Sequence, residues 1–552
     1  MVLLGVADAP GSAAAVVVDD TLVALVSEEQ VPAPDAPELF PWHVVQAALE
    51  TAGLSPADVD VVAVAGKLPS PLAPRGRAGL PRALLSIASP FFDVSVIWQA
   101  FLRHSGLGAL AGDLAADWLT QRFTERGFRP SRLLTVDVHK ALAEAAYRSQ
   151  AADEALVVTL QPFGDGVGLA VHRGRAGQVD RLWVQAGFEA VHVHLPRALA
   201  ALGLAEADPW LLDGLAARGA VDADLGARLA RDLSAEGHEL SQLPVVQGRL
   251  ADPLARMLAT VDRADAAATV LDNLGEAIAA VVRRHVRAHG VGTVALAGEA
   301  FDHPRLVARV AETEGVQRLS VLPRPGRDAL AVGAAASQAG LAPRVRDLRL
   351  GPVLSEASCA GALAAAGLGS ARRADLGDRL AAGGALVRAR ERAGPGRHGL
   401  GERAVLVRAD DAVAIARVRE RLGLAPEEEP LVVVVPTPNE GEIEALDVLR
   451  QPLSLGLAAP RVGPTFRRRY GAVVAGDGRV AMLRADPELH PGLHDLVRAL
   501  LRGSGCGAVA AFPLELAGRG RAVRAADVVA LYQRTGAEAL QLGAHYVARA
   551  SR

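Results

Sequence analysis

Apolar and polar positions divide the first third of the chain into recognisable elements. MVLLGVAD, AAAVVVDD and TLVALVSEE are three short apolar runs separated by APGS and by Asp19–Asp20, a pattern that predicts a β-meander. Helical spacing from Phe40 to Ala52 stops at Gly53, a residue suited to a left-handed C-cap. VDVVAVAG (59–66) is continuously apolar and predicts a buried strand. RLLTVDV (132–138) predicts a strand that runs into a helix over His139–Ser149. EALVVTLQPFGDGVGLAVHRG (154–174) predicts a hairpin turning around Gly164–Gly168. Between these pieces, residues 68–130 are punctuated by Pro and Arg and read as a helical insertion.

Helical spacing dominates 195–290. The stretch from Thr293 to Gly340 then gives a strand, a turn at Gly298, a helix, a second strand, a Pro/Gly turn and a small-residue helix. That order suits a nucleotide pocket, because backbone N–H groups at Gly turns and helix N-termini hold phosphate without a side chain. The same block carries Glu299, Arg327 and Asp328 where such a pocket is open and polar. After a linker, APRVRDLRLGPVLSE, residues 383–411 read as strand, Gly-rich loop and strand, and LVVVVPTP and GAVVAGDGRVAML continue an α/β pattern. The chain shows no low-complexity tract and no clear tandem repeat.

At 552 residues the chain exceeds one compact core, and about two to four domains are expected. Half the residues are hydrophobic and 22% are charged, the balance of a globular protein. A net charge of −3 provides no field for a polyanion, which argues against nucleic acid as a partner. No apolar run reaches the length of a membrane span, and the N-terminus reads as a core strand rather than a signal peptide. Cys359 and Cys506 are the only cysteines, too few for a disulfide framework, so a reducing, cytoplasmic setting is expected. Lys67 and Lys140 are the only lysines; the Arg excess reads as composition bias.

Taken in order, GVADAPGSAAAVVVDD with SEEQ, TLQPFGDG, LAGEAFDHPRLVARV, PRPGRDALAVGAA, GRHGLGERAVLVRADD, AGDGRV and RTGAEALQLGAHYVAR resemble one family over essentially the whole chain. These are the O-carbamoyltransferases of antibiotic and nodulation-factor biosynthesis. The resemblance implies an α/β protein with two domains. Residues 1–345 would form an actin/Hsp70-like (ASKHA) domain close to tRNA threonylcarbamoyladenosine synthase, and 346–552 a YrdC-like domain. In active members the C-terminal domain makes carbamoyl-adenylate from carbamoyl phosphate and ATP. The N-terminal domain, with a divalent metal (iron or magnesium), then passes the carbamoyl group to a hydroxyl.

The functional motifs depart from that pattern. The family's proposed base, a His near the start, falls on Pro10, which has no titratable group. Its metal ligands, two His four apart on one helix face and two Asp, fall on Lys140, Glu144, Gln161 and Arg327. Lys140 and Glu144 are instead spaced for an i,i+4 ion pair. The second Gly of Leu-Ala-Gly-Gly falls on Glu299 after Gly298, and the Asn that follows falls on His303. Residual nucleotide positions would be Gly298, Glu299, His303, Gly326 and Asp165. In the C-terminal loop Arg392 and Arg403 match family arginines and His398 replaces another. The segment that holds carbamoyl phosphate reads Pro426-Glu427-Glu428-Glu429-Pro430, and Asn-Thr-Ser-Phe-Asn reads Ala511-Phe512-Pro513-Leu514-Glu515.

Plainer readings compete at several positions. Asp165 sits in a Gly-rich turn, where Asp serves turn chemistry alone. Arg392, His398 and Arg403 form either a remnant anion site or a basic loop tip. His192 and His194 share a strand face without an evident third ligand, and Arg467-Arg468-Arg469-Tyr470 reads as a solvated run. The chain is thus expected to be a degenerate carbamoyltransferase homologue, with no cofactor of its own. It would serve as the structural or regulatory partner of an active paralogue, in a heterodimer, or as a homodimer. An active transferase with a diverged site and a metabolite sensor are the alternatives.

Overall fold

Two β-meanders, each extended by two parallel strands, build the N-terminal part of the molecule. The computed structural model describes residues 1–8, 11–32, 40–67, 107–149, 152–186, 195–204, 209–232, 253–338, 349–369, 374–390, 392–435, 457–485, 487–488, 490–516 and 520–549. Pro10, His192 and His194 lie outside them, as does 68–106 of the expected insertion. The chain divides into two compact units, Met1–Leu25 with Ala33–Val345, and Val26–Pro32 with Arg346–Arg552.

In the first unit β1 (Val2–Ala7), β2 (Ala13–Val18) and β3 (Thr21–Ser27) form the first meander, and β4 (Val61–Ala65) and β5 (Arg132–Val136) add on as parallel strands. The sheet order is β3-β2-β1-β4-β5. A second sheet repeats this plan with β6 (Glu154–Gly164), β7 (Val167–Arg175), β8 (Gln178–Ala186), β9 (Thr293–Ala297) and β10 (Arg318–Val321), in the order β10-β9-β6-β7-β8. Here too the meander is antiparallel and the last two strands run parallel to its first. This duplicated topology is the one expected of an actin/Hsp70-like unit. Its repeat is invisible in the sequence, because what recurs is strand order and not residues.

Helix α1 (Trp42–Ala52) ends at Gly53 in the left-handed conformation, as its spacing predicts. Helix α2 (Leu107–Glu125) comes between β4 and β5 in the chain and is anchored by Phe123, whose ring lies 4.9–5.3 Å from those of Phe40, Trp42 and Phe128. Helix α3 (Val138–Arg148) follows β5, and helix α7 (Arg327–Ala336) follows β10 at the equivalent place in the repeat. Between them in the chain come α4 (Pro209–Ala216), α5 (Arg263–His289) and α6 (Pro304–Ala311).

The small residues of α7 have a packing reason. Every residue of that helix after Arg327 is buried. A β-carbon at Gly333 would collide with the carbonyl oxygen of Ala141 in α3, and one at Gly5 with the carbonyl oxygen of Ala331. Helix α7 therefore lies at backbone contact with α3 on one side and with β1 on the other.

The second unit holds a mixed seven-stranded sheet. Its strands are β11 (Leu386–Ala389), β12 (Arg403–Arg408), β13 (Leu431–Val434), β14 (Met482–Arg484), β15 (Ala508–Pro513), β18 (Ala539–Leu542) and β19 (His545–Ala548), in the order β14-β13-β15-β12-β11-β18-β19. A two-stranded ribbon, β16 (Glu515–Leu516) with β17 (Gly520–Arg521), stands apart from the sheet. Helix α8 (Glu356–Ala365) precedes β11. No helix among the described residues is long and apolar enough to cross a membrane.

Replacing Gly333 by Leu should cost about 3 kcal/mol, since the helix pair has no space to receive the side chain. Gly361→Ala, at an exposed position of α8 with nothing near its would-be β-carbon, should stabilise by roughly 0.5–1 kcal/mol. Calorimetric melting of both variants beside the native chain checks the contrast.

Candidate functional site

Strand β9 ends at Ala297, and Gly298 turns the chain with a φ of 118°. A side chain there would strike the backbone of Leu160, so only Gly lets this turn press onto the end of β6. The Gly298 amide donates to Pro325 O at 2.6 Å. This closure sets the Glu299 amide 3.1 Å from Gln161 Oε1, which accepts its hydrogen. The Glu299 carboxylate accepts from Arg327 Nε at 3.0 Å. Arg327 is the first residue of α7, and its guanidinium lies against Gly11 in the turn joining β1 to β2. Elements of both sheets thus converge on a Glu299–Arg327 ion pair.

Acid accumulates behind that pair. A β-carbon on Gly326 would lie 2.9 Å from Asp302 Oδ2 and 3.0 Å from Glu299 Cγ. Burial lifts the Asp302 carboxyl to about 7; Arg324 opposes the rise, and Glu299 and Asp328 add to it. Next to it His303, the N-cap position of α6, is buried with Nδ1 2.5 Å from Asp213 Oδ2. Asp213 Oδ1 also accepts from the Arg305 amide at 3.1 Å. Asp213 has one weak signal in the sequence, a lone carboxylate in the apolar helix PWLLDGLA.

Asp165 is buried in the left-handed conformation at φ 56°. Its Oδ2 accepts from the amides of Val138 (2.9 Å) and Lys67 (3.1 Å), fastening the start of α3 to the end of β4. His139, next along α3, is buried with Nδ1 2.7 Å from Thr159 Oγ1 and Nε2 2.9 Å from Val167 O. His172 is buried nearby, and burial, then the adjacent His139 and Arg181, lower its pKa to about 3.

The expected Lys140–Glu144 ion pair does not form. Lys140 is exposed, whereas Glu144 is buried and pairs one turn further along with Arg148 at 2.5 Å. The buried carboxylate takes the half-buried cation and not the exposed one, and the i,i+4 rule is satisfied by the other neighbour.

Tested against a divalent metal, these residues do not fit. Lys140 points to solvent, Glu144 is bound to Arg148, Gln161 accepts from a backbone amide and Arg327 is a cation held by Glu299. A phosphate chain fits no better, since the carboxylates of Glu299 and Asp302 flank the Gly298 and Gly326 turns.

In the second unit, the loop between β11 and β12 is glycine-rich and holds Gly396, Gly399, Leu400 and Gly401 at positive φ. Arg397 in this loop faces two carboxylates, Glu428 at 2.6 Å and Glu515 at 3.5 Å. Three segments distant in the chain therefore meet at one guanidinium. His398 beside it is buried and held neutral by burial and by Arg397 and Arg521. Arg392 and Arg403 both reach the 350–352 segment, through Leu350 O (3.5 Å) and Pro352 O (2.9 Å). Burial lowers Arg403 to about 10, which leaves it cationic, and its Nε has no hydrogen-bond partner among the described residues.

The loop is backed by a buried cluster that the spacing of motifs does not reveal. Arg388 donates to Glu402 Oε2 (2.8 and 3.2 Å) and to Gln541 Oε1 (2.7 Å). Its sequence signal is a charged residue in the otherwise apolar strand LVRA. The run Arg467-Arg468-Arg469 is exposed on a short helix, as the plain reading has it.

Among known proteins, no family model matches the chain, and no curated protein does. Solved structures that it resembles include the activator of the 2-hydroxyisocaproyl-CoA dehydratase from Clostridium difficile with bound ADPNP (TM-score 0.35, 11% identity, 61% of this chain and 94% of that one). A ROK hexokinase from Thermus thermophilus gives a TM-score of 0.28 at 15% identity, over 61% of this chain and 97% of that one. A putative N-acetylmannosamine kinase from Listeria monocytogenes gives 0.28 at 10%, over 61% and 98%. The fold of the first unit rests on its strand order.

Asp302 yields a pH prediction. Its carboxyl binds a proton more tightly in the folded chain (about 7) than in the unfolded one (3.8), so stability falls as pH rises between those values and is level above. Asp302→Asn removes the penalty. Its stability relative to the native chain should grow from pH 4 to pH 7.5 by an amount on the order of 2 kcal/mol, read from urea unfolding at each pH.

Proposed function

We propose that this chain is a degenerate O-carbamoyltransferase homologue, with an actin/Hsp70-like first unit and a YrdC-like second unit. It acts without turnover, as the structural or regulatory partner of an active carbamoyltransferase. The observation that carries this reading is the Glu299–Arg327 pair at 3.0 Å. By the resemblance, a Gly and a metal-binding Asp stand at these positions in active members. Here a carboxylate and a guanidinium stand there instead and neutralise each other. Arg397 with Glu428 and Glu515 repeats the theme in the second unit. Charges tied to one another leave little for a phosphate or a metal ion.

One feature favours the second reading, an active transferase with a diverged site. Arg403 is a buried cation with no carboxylate bound to it among the described residues, a group suited to an anion. The two readings separate in one assay. The purified chain should show no carbamoyl-phosphate-dependent ATP–pyrophosphate exchange, and co-expression with a paralogue carrying the complete His and Asp set should yield a stable hetero-oligomer. Exchange by the chain alone, abolished in Arg403→Ala, would establish the active transferase instead.

A further inference from the structure

Helix α5 ends at His289, with Gly290 as its left-handed cap. His285 lies one turn earlier on the same face, and the two imidazole rings stack with centroids 5.8 Å apart and planes 11° from parallel. His285 also lies against Trp183 of β8, with ring centroids 5.7 Å apart and planes tilted by 47°. His285 is 7% exposed, and neither of its ring nitrogens has a hydrogen-bond partner among the described residues. A buried imidazole with both nitrogens unsatisfied costs free energy, and a bound ion is one of the few things that removes the cost.

We propose that His285 and His289 chelate a divalent transition metal of the kind imidazole favours (zinc, nickel or copper) at the C-terminal end of α5. The i,i+4 spacing aims both rings to one side of the helix, and half-buried His289 can turn to bring a nitrogen toward the same ion. The last carbonyls of the helix add negative potential at this end. Arg284, stacked over Trp183 at 5.7 Å, opposes a cation, so two ligands and solvent make a moderate site rather than a tight one. Burial and the neighbouring Arg284 and His289 hold His285 below its ordinary pKa, in the neutral form that ligates. The site lies on a different helix from Lys140 and Glu144 and stands independently of the proposed function.

The test uses the full chain titrated with Cu²⁺ or Ni²⁺, following tryptophan fluorescence and binding heat together. The expected result is saturation at one equivalent, with quenching of Trp183, which lies against His285. His289→Ala and His285→Ala should each weaken binding at least about ten-fold. Trp183→Phe should lose that quenching while the heat persists. His289→Ala removes only a half-buried ring, so it tests the ligand even where His285→Ala perturbs folding. A zinc-dependent rise in melting temperature should appear in the native chain and vanish in His289→Ala. Unchanged binding in both variants, with the metal captured elsewhere among the 14 histidines, overturns the proposal, as does failure to saturate.

Discussion

The first unit depends on backbone contact between α7 and its two neighbours, α3 and β1. That contact exists because Gly333 and Gly5 have no β-carbon, and because the rest of α7 is almost entirely Ala, Val and Leu. Interiors packed to this density do not yield to a larger side chain by small adjustments. The close approach also decides where Arg327 goes. As the first residue of a helix whose remaining residues are buried, it can send its side chain only outward from the helix start, toward Gly11 and Glu299.

Charge neutralisation then governs the polar interior of both units. Glu299 with Arg327, Glu144 with Arg148, Asp213 with His303, Arg388 with Glu402 and Arg397 with Glu428 are all at least partly withdrawn from water. A buried charge that loses its partner is strongly destabilising, whereas a pair with good geometry is tolerated. Each of these carboxylates accordingly has a basic side chain beside it. Arg403 and Asp302 differ from these pairs in opposite ways: one is a cation without a bound carboxylate among the described residues, the other a carboxyl that burial drives toward its neutral form.

Much of the local structure was legible because it follows from neighbours in the chain. Gly53 ends α1, the turn at Asp165 and Gly166 joins β6 to β7, and the strand–turn–helix order after Thr293 is as spacing predicts. Periods of two and of 3.6 residues, and glycines that supply positive φ, are properties of short segments. Partner choice was less legible. Glu144 had a cation four residues away on either side, and spacing alone does not say that Lys140 is exposed while Arg148 is half-buried.

The amino-acid sequence by itself determined the elements, the glycine turns and the types of side chain at each candidate position, since these depend on residues a few places apart. Only the tertiary structure decided that the first unit is a duplicated sheet, that Glu299 meets Arg327, that Arg397 gathers Glu428 and Glu515, and that Asp213 holds His303. Those partners lie 28 to 118 residues apart in the chain, and their meeting is set by sheet order and helix packing, which no local pattern encodes.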